Sequence, residues 1–165
     1  MKCLVFSDSH GDKYNMTRAL RLHRDAEIVF FLGDGLSDID EVRYAFTSVK
    51  FLAVRGNCDM RTFALDSMIG KTAEIEISGK RIVYTHGDLY GAKYGTGGLE
   101  KLAADKSADI VLFGHTHTPA LEYFSDYENP FYLFNPGSIG SREGSYGIIT
   151  LTEGQEPLFS HGNFL

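Results

Sequence analysis

Five short runs of apolar residues recur along the chain, and each ends on a small set of polar residues. Lys2–Phe6 stops at Ser7-Asp8-Ser9-His10, and Ile28–Leu32 stops at Gly33-Asp34. Phe51–Val54 stops at Gly56-Asn57, Ile82–Tyr84 at His86-Gly87, and Ile110–Phe113 at Gly114-His115-Thr116-His117. The runs are rich in Val, Ile, Leu and Phe, and several lack polar alternation, which predicts strands buried on both faces. Helical spacing appears between several of them. Met16, Ala19, Leu20 and His23 follow one stripe. Ile39, Val42, Phe46 and Val49 follow another, with Ser37 placed as its N-cap. Leu99, Leu102 and Ala103 open a third after Gly95, Gly97 and Gly98.

The remaining segments read as hairpins. Glu74–Ser78 and Arg81–Thr85 flank Gly79-Lys80, Leu121–Ser125 precedes Phe131–Phe134, and Gly147–Leu151 meets Leu158–Ser160 across Glu153-Gly154. The expected fold is α/β: two sheets packed face to face as a β-sandwich, flanked by helices, in one domain spanning 1–165. Strands of one sheet are expected to bring the polar termini to one edge, where open α/β sheets bind ligands.

Composition narrows the function classes. The chain has 165 residues, 16 Lys plus Arg, 22 Asp plus Glu and a formal charge of −6. That balance argues against stable nucleic-acid binding, which needs a basic footprint. The two cysteines, Cys3 and Cys58, exclude a disulfide scaffold. The first apolar run is too short for a signal peptide and nothing approaches a membrane span, so a cytoplasmic, membrane-free protein is expected.

The strand ends then matter together. They gather Asp8, His10, Asp34, Asn57, His86, His115 and His117. Two carboxylates and four imidazoles packed together require a counter-charge, and a divalent cation supplies it. Imidazole and carboxylate without thiolate suit Mn, Fe, Co, Ni or Zn. Seven donors exceed what one catalytic ion with open positions takes, and they suit two ions if one carboxylate bridges. Such a pair lowers the pKa of a bridging water and clamps the oxygens of an in-line displacement. Two divalent ions outweigh two carboxylates and a hydroxide by one charge, which attracts a phosphodiester monoanion.

Asp8-Ser-His10, Gly33-Asp34, Gly56-Asn57-Cys58-Asp59, His86 and Gly114-His115-Thr-His117 resemble, in order, the motif series of the calcineurin-like metallophosphoesterases. The short chain, Gly-Asn-Cys-Asp and Asn135-Pro136-Gly137-Ser138 are most similar to the small YfcE-type phosphodiesterases. The resemblance implies a four-layer α/β/β/α sandwich and a hydrolase with a dinuclear centre and a metal-bridging hydroxide nucleophile. It implies Asp8, His10, Asp34 and His117 on one ion, Asp34 bridging, and Asn57, His86 and His115 on the other. Asp34, Asn57 and His86 are the expected catalytic ligands, and Mn²⁺ is the working ion it favours. Asp59 is expected to orient a ligand histidine. Cys58 stands where many monoester-cleaving relatives have histidine, and a thiol is a weak donor, so diesters or good leaving groups are favoured. Asp88 departs from the His-Gly-His continuation of relatives.

Other features have plainer readings. His23 and His161 read as structural or solvated, Cys3 as core, and Gly95–Gly98 as a flexible lid or turn. Arg55 and Arg142 read as substrate-contacting, as supports behind the metal ligands, or as solvated. The loops Asp88–Gly98 and Ser125–Pro130 are expected to wall the pocket. The alternatives are a phosphomonoesterase on the same site and a non-catalytic scaffold, like the retromer subunit of this fold. A small phosphodiester is the expected partner, and a homo-oligomer is left open. Because histidine binds metal only when neutral, activity should collapse below about pH 6.

Overall fold

The computed structural model describes residues 1–59 and 69–164. Its elements run β1 (Lys2–Phe6), α1 (Lys13–Leu22), β2 (Ile28–Phe31), α2 (Leu36–Arg43), β3 (Lys50–Ala53), β4 (Thr72–Ile77) and β5 (Lys80–Thr85). They continue with a 3₁₀ turn at Asp88–Tyr90, then α3 (Gly97–Lys106), β6 (Ile110–Leu112), β7 (Ala120–Phe124), β8 (Phe131–Asn135), β9 (Ser145–Thr150) and β10 (Leu158–Asn163). Two five-stranded sheets result, in the orders β10-β9-β1-β2-β3 and β4-β5-β6-β8-β7. Both are mixed. β1, β2 and β3 are mutually parallel, as are β5, β6 and β8, and the hairpin partners run antiparallel.

The missing polar alternation has its cause in the central strands, which bury both faces; β3, expected among them, is an edge strand with no buried residue. Cys3 and Val5 of β1 join Ile28 and Phe30 of β2, and meet Ile82, Ile110, Leu112 and Phe134 between the sheets. Leu4, Phe6, Val29 and Phe31 point the other way and pack under Met16, Leu20, Ile39 and Val42 of α1 and α2. Val83, Val111 and Leu133 pack under Leu99 and Leu102 of α3. A fully buried aliphatic or phenyl side chain contributes about 1.5–3 kcal/mol relative to an exposed one, so these layers dominate the choice of fold.

Three expectations shift. Helix α2 begins after Gly35, so Ser37 lies inside its first turn and is not the N-cap. It ends at Arg43, and Phe46 and Val49 continue the apolar face through turns such as Phe46 N–H to Arg43 O and Val49 N–H to Phe46 O. Three-residue turns satisfy the same side-chain spacing, which is why the pattern overran the helix. In the first hairpin Ile77 pairs with Lys80, so the loop is Ser78-Gly79, one place earlier than Gly79-Lys80. Both loop residues have positive φ, 51° and 72°, and a two-residue turn of that kind favours glycine at its second position over lysine.

Candidate metal centre

Asp8 and His10 follow β1, Asp34 follows β2, and Asn57, Cys58 and Asp59 follow β3. His86 follows β5, and His115 and His117 follow β6. The strand ends therefore come from both sheets, not from the edge of one as expected. Parallel strands in each sheet aim their carboxyl ends at a common rim. Five of these residues have left-handed backbone: Asp8 (φ 56°), His10 (48°), Asp34 (59°), His115 (67°) and His117 (60°). Asp and His tolerate this region better than most residues, but it remains unfavourable and is retained where geometry demands it. Here the demand is local. Gly33 has φ +100°, and a Cβ on it would overlap the backbone of Gly56, so the β2 and β3 termini touch.

The side chains converge. Asp8 Oδ1 lies 3.1 Å from His117 Nε2, 3.8 Å from His10 Nε2 and 3.9 Å from His86 Nε2. His10 and His117 face each other, Nε2 to Nε2, at 3.4 Å. His86 Nε2 lies 3.1 Å from Asn57 Oδ1, 3.1 Å from His115 Nδ1 and 3.4 Å from Asp34 Oδ2. All seven expected ligands thus share one cluster. His115 and His117 diverge from one turn, the former to His86 and the latter to Asp8. Among the described residues, three donor groups close enough to hold an ion emerge: Asp8/His10/His117, Asp8/Asp34/His86 and His10/Asp34/Cys58. The third brings in Cys58 as a donor, where the sequence motif points to Asn57.

The donor set fits a cation. Asp8 is fully buried, and among the described residues its Oδ1 has no hydrogen-bond donor although it faces three imidazoles. A buried carboxylate oxygen without a donor is costly. His86 Nδ1 lies 2.9 Å from the Leu32 carbonyl, which can only accept. Nδ1 therefore carries the proton, and in neutral His86 the Nε2 lone pair points at the cluster. The Asn57 amide nitrogen donates to Cys58 Sγ at 3.2 Å, which leaves its oxygen toward His86. Lone pairs thus face lone pairs.

Protonation follows the same crowding. Burial pushes the Asp34 carboxyl up, but the His86 contact and the Cys58 N–H, 2.7 Å away, outweigh it and hold the group well below the carboxylate range. Burial pushes His86 down, and the Asp34 contact with the charges of Asp8 and Asp34 more than reverses this. His115 is lowered by burial and by the nearby His86 and Lys93. The Cys58 thiol is raised, first by its hydrogen bond to Asp34 and then by burial.

Supporting residues fix the loops. The sequence places Asp59 against a ligand histidine, but among the described residues its carboxylate takes backbone N–H groups instead. Its Oδ2 accepts the N–H groups of Asp34 and Gly56, and its Oδ1 those of Gly35 and Leu36, at 2.7–2.9 Å. It therefore orients Asp34 and caps α2 at once. Asn135 is buried and donates to Gly114 O and Thr116 Oγ1, each at 3.0 Å, which fixes the turn bearing His115 and His117. Ser138 Oγ donates to Asp8 O at 2.8 Å, and Ser7 Oγ to Asp8 Oδ2 at 2.5 Å. Ser7 escaped the sequence reading because it looks like any residue ending a strand.

The other flagged residues lie around this cluster or away from it. The Arg55 N–H donates to Gly70 O, just before the Gly56-Asn57 turn, and Arg142 is exposed. His23 Nε2 contacts Tyr146 Oη at 3.0 Å, and His161 Nε2 contacts Asn135 O at 2.7 Å, so both take structural partners. Cys3 is buried between the sheets. Asp88 Oδ2 accepts from Lys71 Nζ at 2.6 Å. Gly97 and Gly98 begin α3; a Cβ on Gly98 would overlap the Tyr90 carbonyl, so the helix packs closely there, while Gly95 and Gly97 face open space. In the β7–β8 connection Tyr127 Oη donates to Glu100 Oε2 of α3 at 2.6 Å. Among the described residues no helix is long and apolar enough to cross a membrane.

Known proteins are similar to this chain in sequence and fold. Over 155 aligned residues the chain is 29% identical to the probable metallophosphoesterase YsnB of Bacillus subtilis, covering 92% of this chain and 85% of that one. It is 29% identical to the phosphodiesterase YfcE of Escherichia coli over 176 aligned positions, covering 90% and 87%. The solved structure of the E. coli YfcE phosphoesterase superposes with a TM-score of 0.65 at 26% identity, over 91% of this chain and 88% of that one. A zinc-complexed Vps29 from Entamoeba histolytica has the same fold, with a TM-score of 0.74 at 19% identity and full coverage of both chains. The sequence model of the calcineurin-like phosphoesterase superfamily domain matches residues 1–154. With two mixed sheets, three flanking helices and a rim of metal-type donors, the chain is a metallophosphoesterase and belongs to the calcineurin-like phosphoesterase superfamily.

Proposed function

We propose that this enzyme is a phosphodiesterase of small substrates that works through a dinuclear metal centre. The observation that carries the reading is Asp8 Oδ1, buried, without a donor among the described residues, and faced by imidazoles from both sheets. In this reading Asp8, His10, Asp34 and His117 hold one cation, and Asp34 is shared with a second held by Asn57, His86 and His115. When bound, the pair supplies Lewis acidity at the phosphate and a hydroxide nucleophile at neutral pH, with Mn²⁺ as the working ion and Ni²⁺, Co²⁺, Fe²⁺ or Zn²⁺ compatible with the same donors.

The chain's own groups set the selectivity. Asp34 stays ionised throughout the working range. The Leu32 carbonyl keeps the His86 proton on Nδ1, so Nε2 remains a donor to the centre. Cys58 stays a thiol, because Asp34 and burial raise its pKa. A thiol gives the departing oxygen little proton assistance. Diesters and aryl leaving groups therefore react faster than alkyl monoesters.

The test pairs metal analysis with two assays. A folded, Mn²⁺-supplemented chain should retain about two ions and hydrolyse an aryl diester faster than the matching monoester. Retention of at most one ion would overturn the dinuclear reading. Faster monoester turnover would favour a phosphomonoesterase, and metal binding without turnover of either would favour a scaffold.

A further inference from the structure

The turn that carries His10 is held from another element. Asp38, in the first turn of α2, is buried, with 7% exposure. Its Oδ2 accepts from Ser9 Oγ at 2.6 Å and from the Gly11 N–H at 2.8 Å. These two donors flank His10. The turn needs such a hold, because His10 and Gly11 are consecutive residues of positive φ, 48° and 94°, and the His10 imidazole is exposed. Space for the tether is provided by Gly35, where a Cβ would overlap Ser9 Oγ. Asp38 belongs to no donor group among the described residues. Its carboxylate acts through the turn.

We propose that Asp38 is a positioning residue that presets His10 for a shared cation with Asp8 and His117. The inference rests on the metal-centre reading. An exposed imidazole on an unfavourable turn would otherwise have to be ordered at the moment of binding, and that ordering opposes affinity. Asp38 links this turn to the helix that follows Asp34, so the β1 and β2 ligand loops keep one mutual geometry.

The test is calorimetric titration of the metal-free full chain with Mn²⁺, with thermal unfolding measured separately in chelator. Loss of an outer partner of a ligand costs about 10–100-fold in metal affinity, and Asp38→Ala should lose that much at one of the sites. Asp38→Asn keeps an oxygen that can accept from both donors, and should stay within about 3-fold of the parent. Ser9→Ala, which removes one of the two bonds, should fall between them and serves if Asp38→Ala does not fold. Unchanged affinity in Asp38→Ala or Ser9→Ala, with only a lowered Tm, would overturn the proposal. So would an Asp38→Asn chain as weak as Asp38→Ala. A parent that binds no Mn²⁺ would instead sink the metal-centre reading beneath it.

Discussion

The two sheets bring unlike chemistry to one rim. The first, through the ends of β1, β2 and β3, supplies both carboxylates, Asp8 and Asp34, with Asn57, Cys58 and one imidazole, His10. The second, through β5 and β6, supplies imidazoles alone: His86, His115 and His117. Neither half by itself matches the full donor set. The first would leave anions close together, and the second would leave neutral donors without charge. One donor group, His10/Asp34/Cys58, lies wholly on the first sheet, but both groups that contain Asp8 need an imidazole of the second, His117 or His86, so for these metal binding and the packing of the sandwich are one problem.

The contrast is broken most severely on the carboxylate side. Asp34 faces His86 and takes the Cys58 N–H, and Asp59 holds its own backbone. Asp34→Ala should lower diester turnover on the order of 10²–10³-fold or more, the range for removing a main electrostatic stabiliser, and should also release metal. His115→Ala removes one neutral donor from the other sheet and should lose less. Parallel kinetics and metal analysis check this, and equal losses would erase the distinction between the halves.

Titration sharpens the same comparison through His86, the imidazole between both carboxylates. Its pKa in the metal-free chain stands above the ordinary 6.5. A raised histidine contributes stability fully present below its unfolded value and lost as pH rises through its folded value. The lowered Asp34 contributes stability above about 3.8, lost as pH falls through its folded value. The metal-free chain should therefore lose Tm as pH climbs above 6.5. The Mn²⁺-loaded chain should gain, because metal displaces the His86 proton and affinity rises up to about tenfold per pH unit for that proton. Proton competition then begins above 6.5, earlier than an ordinary histidine predicts. Thermal melts from about pH 5.5 to about pH 8.5, with Mn²⁺ and with chelator, should slope in opposite directions.

A smaller change tests the thiol. Cys58→His places a proton donor beside Asp34, on the carboxylate side of the rim. It should raise monoester relative to diester turnover by roughly tenfold, below the 10²–10⁴ of a fully tuned acid, because the surrounding loop was not shaped for imidazole. An unchanged ratio removes Cys58 from the account of selectivity.

Much of this was legible in the sequence because buried central strands are apolar on both faces and end abruptly on polar residues. That feature located β1, β2, β5 and β6 with their donors, whereas β3 is an edge strand with no buried residue and was marked by its apolar run and the Gly56-Asn57 turn alone. Division into two sheets could not be read from the termini themselves, since a strand end looks alike in either sheet. Ser7, Asp38 and the link from Asn135 to Gly114 were also hidden. Their partners are distant in the chain, or act through backbone groups that carry no side-chain signature. Asp38 in particular looks like an acidic residue suited to any first helical turn.

The smallest expected effect concerns the start of α2, where local pattern and long-range packing compete. By spacing, Ser37 is an N-cap, and replacing a capping serine with alanine costs about 1 kcal/mol. In the structure Gly35 occupies the cap position, and the Gly35 and Leu36 N–H groups go to the Asp59 carboxylate instead. Asp59 lies in the loop after β3, so the helix is capped by a neighbour that also holds Asp34. Ser37 is exposed in the first turn, and the helix has no cap bond from its own side chains. Ser37→Ala should therefore shift unfolding free energy by less than about 0.5 kcal/mol, the range of an ordinary surface substitution, and leave turnover unchanged. Chemical denaturation resolves the difference from a true cap. A full capping loss would mean that Asp59 serves the metal loop alone and that the helix depends on its own sequence.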